Sequence, residues 1–233
     1  MQAINPAEAW GLSEYVLLAF SAAMIMFMQA GFAFVEAGAA RVKNTVNILM
    51  KNFCDMCIGG LGFWAIGYGF MYGYNPSGWI GMSNFLPNGA SNQEMGMILF
   101  QMLFASAAAT IVSGAIAERT RFKAYIWGSV IISAIIYPII GSWVWGSYHG
   151  GEGWLKALGF VDFAGSAVVH LVGGSAALAA LLVVKPRLGK YGADGTARNI
   201  QGHNMTLTVL GAFILWMGWF GFKIGRASCR ERV

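Results

Sequence analysis

Apolar residues fall in long unbroken runs along this chain, and polar residues collect in the short stretches between them. Six runs stand out, at 15–38, 46–72, 96–117, 124–145, 163–185 and 205–222. A bilayer core about 30 Å thick is crossed by ~20 apolar residues in helix, the length these runs approach or exceed. None alternates apolar and polar positions as a barrel strand does, and lipid offers no partners to open backbone groups. The pattern predicts an all-α, polytopic membrane helical bundle with helices over those six ranges. The sixth is cut short by a charged tail.

The connections sort by charge. "NPSGWIGMSNFLPNGASNQ" and "GSYHGGEG" are rich in turn residues, whereas "AERTRFK" and "VKPRLGKYGADGTARN" are basic. Running the helices alternately up and down puts Arg41, Lys43, Arg119, Arg121, Lys123, Lys185, Arg187, Lys190 and Arg198 on one side, and Lys156 alone on the other. Basic loops stay in the cytoplasm, so a multi-pass protein of the cell membrane is expected, with its N-terminus outside. "MQAINPAEAWGLSEY" has no basic n-region or small-residue cleavage site, so the first run is expected as a retained span.

Composition agrees: 57% of residues are hydrophobic and 11% charged, against about 25% charged in soluble domains. The net charge of +5 does not imply a nucleic-acid partner, because four of the 15 basic residues lie in the last eleven positions. Cys54 and Cys57 form a CxxC inside an apolar run, where small buried cysteines are common; neither a redox pair nor a metal site is expected there, and no cofactor.

Few residues are left to carry chemistry. Small residues in "ASAAATIVSGAIA" and "GGLGFWAIGYG" let helices approach closely and predict compact packing. Lys51 and Asp55, four apart, are expected to pair or to snorkel toward the interface. Asp162 opens the fifth run, where a carboxylate suits a helix N-terminus and also adds a pull on a cation near the mouth. His170 lies about two turns inside the same run; an ionisable group at that depth is a functional candidate, a pore-lining imidazole set against a satisfied core histidine. His149 and His203 read as solvated loop residues, and Trp143 and Trp145 as an interfacial belt. Phe104 and Phe222, taken singly, read as core or lipid-facing side chains.

Four stretches change that picture. "FMQAGFAFVEAGAARVKNTVNILMKN", "ASAAATIVSGAIAERTRF", "VDFAGSAVVHLVGG" and "GWFGF" closely resemble the ammonium transporter family (Amt/Mep/Rh), in the family's order and across residues 15–222. The resemblance implies a homotrimer with one narrow pore per subunit, and eleven spans of which ten form two inverted five-helix repeats. It implies an outer recruitment site with Trp145, Phe104 and Asp162, a pore gate of Phe104 and Phe222, and His170 as the first of two pore-lining histidines. Ammonium or ammonia is the implied cargo, the lipid bilayer the surroundings, and a PII-type regulatory protein an implied partner. The implied role is transport rather than catalysis. The alternative within the resemblance is an ammonium-sensing module of a signalling protein. An enzyme using Asp162 and His170 as an acid–base pair is disfavoured, since eight helical residues separate them by about 12 Å.

The end of the chain departs from the family. After "GWFGF" the family continues with an Asn-Ala-Gly-Ser-like run; here "KIGRASCRERV" follows, and Arg226 stands at the expected serine. The ten residues from Ile224 back-translate as ATC GGA AGA GCG TCG TGT AGG GAA AGA GTG, the sequence of a common short-read sequencing adapter. Residues 1–222 are therefore expected to be the N-terminal part of a transporter subunit, truncated in its sixth helix, and residues 223–233 a non-native tail.

Overall fold

The computed structural model describes residues 11–230, with side chains as far as residue 225. It holds six helices long and apolar enough to cross a membrane. They are α1 (Leu12–Ala39), α2 (Val42–Tyr72), α3 (Asn92–Ala115), α4 (Phe122–Trp145), α5 (Ser166–Val184) and α6 (Met205–Arg230). Among the described residues there are no strands beyond two isolated bridges, Asn75–Gly151 and Tyr191–Ala197. The all-α membrane bundle read from the apolar runs is the observed fold. The loops sort into two ends: a basic end at 40–44, 116–121 and 185–204, and a tryptophan end at 73–91 and 146–165.

Local chemistry sets the helix limits. Ser91 caps α3, its Oγ accepting the N–H of Glu94 at 3.2 Å, in a Ser-x-x-Glu capping pattern. α5 starts at Ser166, three residues later than its apolar run, because Gly165 adopts φ +84° and breaks the helix before it. Within α4, Pro138 cannot donate to the helical ladder and would press on the carbonyl four residues back. A wider π-helical turn over Ile132–Ile136, just before it, takes up that strain. Similar π turns widen α2 over Asp55–Gly59 and Phe63–Gly67.

α3 is the central helix: two thirds (67%) of its apolar window is buried, against 28–44% in the other five. Its run of Ala, Ser and Gly lets α1, α2, α4 and α5 all close on it. α1 and α6 run antiparallel along a glycine seam. A Cβ at Gly211 would lie 2.6 Å from the carbonyl oxygen of Gly31, and one at Gly221 2.5 Å from Cβ of Met24. No larger residue fits there.

The basic end is tied by one carboxylate. Glu118, in the loop after α3 and itself at φ +65°, has a side chain with no solvent exposure. Its Oε1 accepts from the backbone N–H of Arg41 (2.9 Å), Arg41 Nε (3.0 Å) and Asn44 Nδ2 (2.6 Å), and its Oε2 from Arg187 (2.9 Å). Three loops distant in sequence are thereby joined. Burial alone would raise this carboxyl group's pKa, but the bonds from Asn44, Arg41 and Arg187 outweigh it and hold the value at about 2.

That shift fixes a sign. A carboxylate whose folded pKa lies below its ordinary 4.5 stabilises the fold above pH 4.5, and the contribution is lost as pH falls toward 2. Glu118→Gln is expected to cost about 1.5–3 kcal/mol, the usual worth of a hydrogen bond to a charged group. Thermal unfolding in detergent should show a constant gap between the two proteins from pH 5 to 8, closing only in strong acid. A gap that shrinks between pH 8 and 6 would contradict the clamp.

Candidate functional site

Asp162 organises the start of α5. Its Oδ1 accepts from the backbone N–H groups of Gly165 (2.8 Å) and Ser166 (2.9 Å), and its Oδ2 from those of Ala167 and Val168 (both 2.8 Å). These are the donors that a helix N-terminus leaves without partners. The carboxylate faces the first turn of α5 and is 6% exposed. Its geometry serves the capping role read from the sequence, each oxygen accepting two backbone N–H groups. The carbonyl of the same residue accepts the indole N–H of Trp145 at 2.9 Å, which ties the end of α4 to the start of α5.

Rings from four helices meet beside this cap. Phe104 of α3 and Phe222 of α6 stack with centroids 4.0 Å apart and planes 17° apart. Trp145 meets Phe104 edge-on at 6.1 Å, and His170 lies 5.6 Å from Phe222. The order of contacts is therefore Trp145, Phe104, Phe222, His170. Both phenylalanines are fully buried, while His170 is only half-buried. Two rings at van der Waals separation leave no room for a hydrated ion between them.

His170 gets its place from the π turn over Ser166–Leu171, where its N–H bonds to the carbonyl of Gly165, five residues back, at 3.0 Å. Gly173, one turn further on, lets α5 close on α3: a Cβ there would lie 2.9 Å from the carbonyl oxygen of Ala108. The structure brings together Trp145, Phe104, Phe222 and His170 of the residues expected from sequence, and sets Asp162 behind Trp145 as its support. It also adds one. Phe100, a turn before Phe104 on the same face of α3, is fully buried with its ring 4.8 Å from that of Phe104. The four-residue spacing was the only available signal.

Other expectations need correction. Lys51 neither snorkels nor forms an ion pair within 4 Å among the described residues; it is fully buried, with Nζ 4.9 Å above the ring of Tyr125. Around it lies a buried polar network that the sequence did not reveal. Asp55 accepts from Thr110 (3.2 Å) and Tyr125; Gln29 donates to Thr110 and to the Asn52 carbonyl; Glu36 accepts from Asn52 (3.1 Å) and Ser113 (2.8 Å). His149 is not a free loop residue, because its Nε2 lies 3.0 Å from Glu94 and 3.3 Å from the Tyr68 hydroxyl. His203 is exposed, yet its Nδ1 lies 3.0 Å from the Ala40 carbonyl. Trp143 packs with Trp79 and Trp154 as a three-ring cluster and donates to the Trp79 carbonyl at 2.9 Å. Cys54 is buried and Cys57 half-buried, both free.

Six helices long and apolar enough to cross a membrane, four of them contributing to one group of contacting rings, define a polytopic membrane protein. The chain belongs to the ammonium transporter family, whose profile it matches over residues 16–231. It is 47% identical over 214 residues to Ammonium transporter Amt2 of Archaeoglobus fulgidus, an alignment covering 87% of this chain and 45% of that one. It is 42% identical to Ammonium transporter 1 member 3 of Solanum lycopersicum, covering 90% of this chain and 47% of the relative. Among solved structures, one titled Sensor Amt Protein superposes with TM-score 0.88 at 44% identity, over 92% of this chain and 55% of the other. Mep2 from Candida albicans gives TM-score 0.83 at 25% identity, over 97% and 50%. The chain spans about half the length of the curated relatives it matches.

Removing the cap should loosen α5 first. In Asp162→Ala, four backbone N–H groups lose their acceptor, and each buried donor left unsatisfied costs about 1–3 kcal/mol. Hydrogen exchange at the amides of residues 165–168 is expected to speed up at least a hundredfold. Unchanged protection there would mean that the carboxylate does not hold the turn.

Proposed function

We propose that this chain is the N-terminal part of a subunit that conducts ammonium, as NH₄⁺ or NH₃, across the cell membrane. The observation that carries the reading is the Phe104–Phe222 stack with Trp145 on one side and His170 on the other. Ammonium and potassium are nearly the same size, so width alone does not separate them. An indole face attracts either cation by about 0.5–2 kcal/mol. Beyond the stack, a dry path disfavours the charged form, and a neutral imidazole accepts a directed hydrogen bond that potassium cannot donate. The nine basic loop residues favour a cytoplasmic basic end, with Trp145 at the outer mouth.

A sensor remains the second reading, favoured by the likeness to the structure titled Sensor Amt Protein. A signalling domain encoded beyond residue 222 would decide for it. We also read the tail from Lys223 as non-native. The Lys223 ammonium donates to the Ala164 carbonyl at 3.2 Å and lies 5.3 Å from the Phe222 centroid. A fixed positive charge on a gate ring opposes the passage of any cation.

The test starts from the gene re-read past residue 222, where an asparagine codon is expected at 223, and uses the full-length subunit in liposomes. An ammonium-dependent current or alkalinisation is expected. His170→Ala should cut it about tenfold, or admit potassium, with the assembly intact by size exclusion. Trp145→Leu should raise the half-saturating ammonium concentration about 2- to 30-fold, the range a lost cation–π contact spans. Full activity in both variants would return the two residues to packing roles.

Orientation has its own check. In intact cells an impermeant thiol reagent should label a cysteine placed at Ser147 and spare one at Thr196. The reverse pattern would invert the topology.

A further inference from the structure

Two carboxylates are buried inside the bundle away from the ring column, Glu36 of α1 and Asp55 of α2. Ser113, which donates to Glu36, lies nine residues on from Phe104 and so faces the other side of α3. We propose that Glu36 and Asp55 form a proton-binding site that holds one exchangeable proton between them.

A run of hydrogen bonds across four helices joins the two groups. Ser113 and Asn52 donate to Glu36 Oε2 at 2.8 and 3.1 Å. Gln29 donates to the Asn52 carbonyl at 2.9 Å and to Thr110. Thr110 donates in turn to Asp55 Oδ2 at 3.2 Å, and so does Tyr125. These groups are buried by the helices described, so the network is complete within α1 to α4.

Charge accounting carries the argument. Lys51 is the one Lys or Arg that is buried among the described residues. Two carboxylates against one ammonium leave a unit of negative charge uncompensated in the interior. Such a charge is costly there, and binding one proton removes it. Other neighbours do not supply the balance. Arg119 and Arg187 share a cavity wall with Glu36, but Arg187 donates to Glu118 and Arg119 to the Lys185 carbonyl. Cys54 beside Asp55, and Tyr125 bonded to it, bring no positive charge.

The geometry offers a place for the proton and a way to it. Asp55 Oδ2 already accepts twice, whereas Asp55 Oδ1 is buried and accepts no hydrogen bond among the described residues. A small metal cation is the poorer fit, since it needs several oxygens around it and would meet the Lys51 ammonium one turn away. Glu36 is the more accessible of the pair, 8% exposed against 0% for Asp55. It lies four residues before Ala40, whose N–H bonds to the Glu36 carbonyl at 3.1 Å, so the proton exchanges at the basic end. The site does not rest on whether the ring column conducts.

The test is infrared difference spectroscopy on the full-length subunit in lipid as the pH is stepped. A protonated carboxyl has its own carbonyl stretch, which shifts when heavy water replaces water. Surface carboxylates titrate at about pH 4, so all steps stay above about pH 5. The parent is expected to lose this band as the pH rises. Glu36→Gln and Asp55→Asn should each abolish it, because one carboxylate then balances Lys51 without a proton. Asp194→Asn, which removes an exposed loop carboxylate, should leave it unchanged. Lys51→Met should carry the band to higher pH by about 1–3 units, the effect of losing an opposite charge at close range. If the two carboxamide variants do not fold, Lys51→Met decides alone, and an unmoved band counts against the site. No titrating band in the parent, or one that survives in both carboxamide variants, would overturn it. So would a band that disappears when sodium or potassium replaces choline in the buffer, since a metal ion would then supply the charge.

Discussion

A helix that starts close to the membrane must find acceptors for its first N–H groups, because lipid supplies none. Asp162 meets that requirement for α5 with two carboxylate oxygens and four backbone donors. Much else follows from it. With the turn fixed, the Asp162 carbonyl is in place to hold the indole of Trp145, and the π turn that follows presents His170 to Phe222. One residue thus sets both flanks of the ring column. That is why a carboxylate whose oxygens serve backbone groups is considered with the ring column.

The two ends of the bundle are stabilised by different physics. At the tryptophan end, large rings and backbone turns do the work: Trp79, Trp143 and Trp154 pack on one another, and the loop bonds are largely neutral. At the basic end, a single buried carboxylate gathers cations from two other loops. Between them lies the polar network of Glu36, Asn52 and Asp55, where the small faces of the helices let hydrogen-bonding groups reach one another across interhelical contacts. The apolar exterior conceals an interior that is locally quite polar.

The six spans were legible because length and unbroken apolarity are properties of contiguous sequence. Asp162 was legible as a cap for the same reason, since its four partners lie within six residues of it. His170 was legible as an ionisable group deep in an apolar run, but Phe104 and Phe222 were singled out only with the help of the family motifs; without them a phenylalanine in an apolar run is one among sixteen. Phe100 escaped because it differs from its neighbours only in helical phase. The Glu118 clamp escaped because its partners are 69 to 77 residues away and no local pattern ties them. Lys51 was misread for a related reason. Snorkelling is what a lysine does on a lipid-facing surface, and nothing in the sequence of α2 says that this one meets Tyr125 of α4 instead.

The π turn at the head of α5 is, in effect, an α-helix carrying one surplus residue. Each residue in an α-helix advances the face by about 100°, so loss of one position between Gly165 and Leu171 would rotate the cap relative to everything after it by that angle. The carboxylate and the imidazole would then point to different sides of the bundle, although every side chain was still present. The distance in sequence from Asp162 to His170 is therefore a measured length. Relatives that share this machinery should tolerate changes of residue type within the segment far more readily than any change in the number of residues.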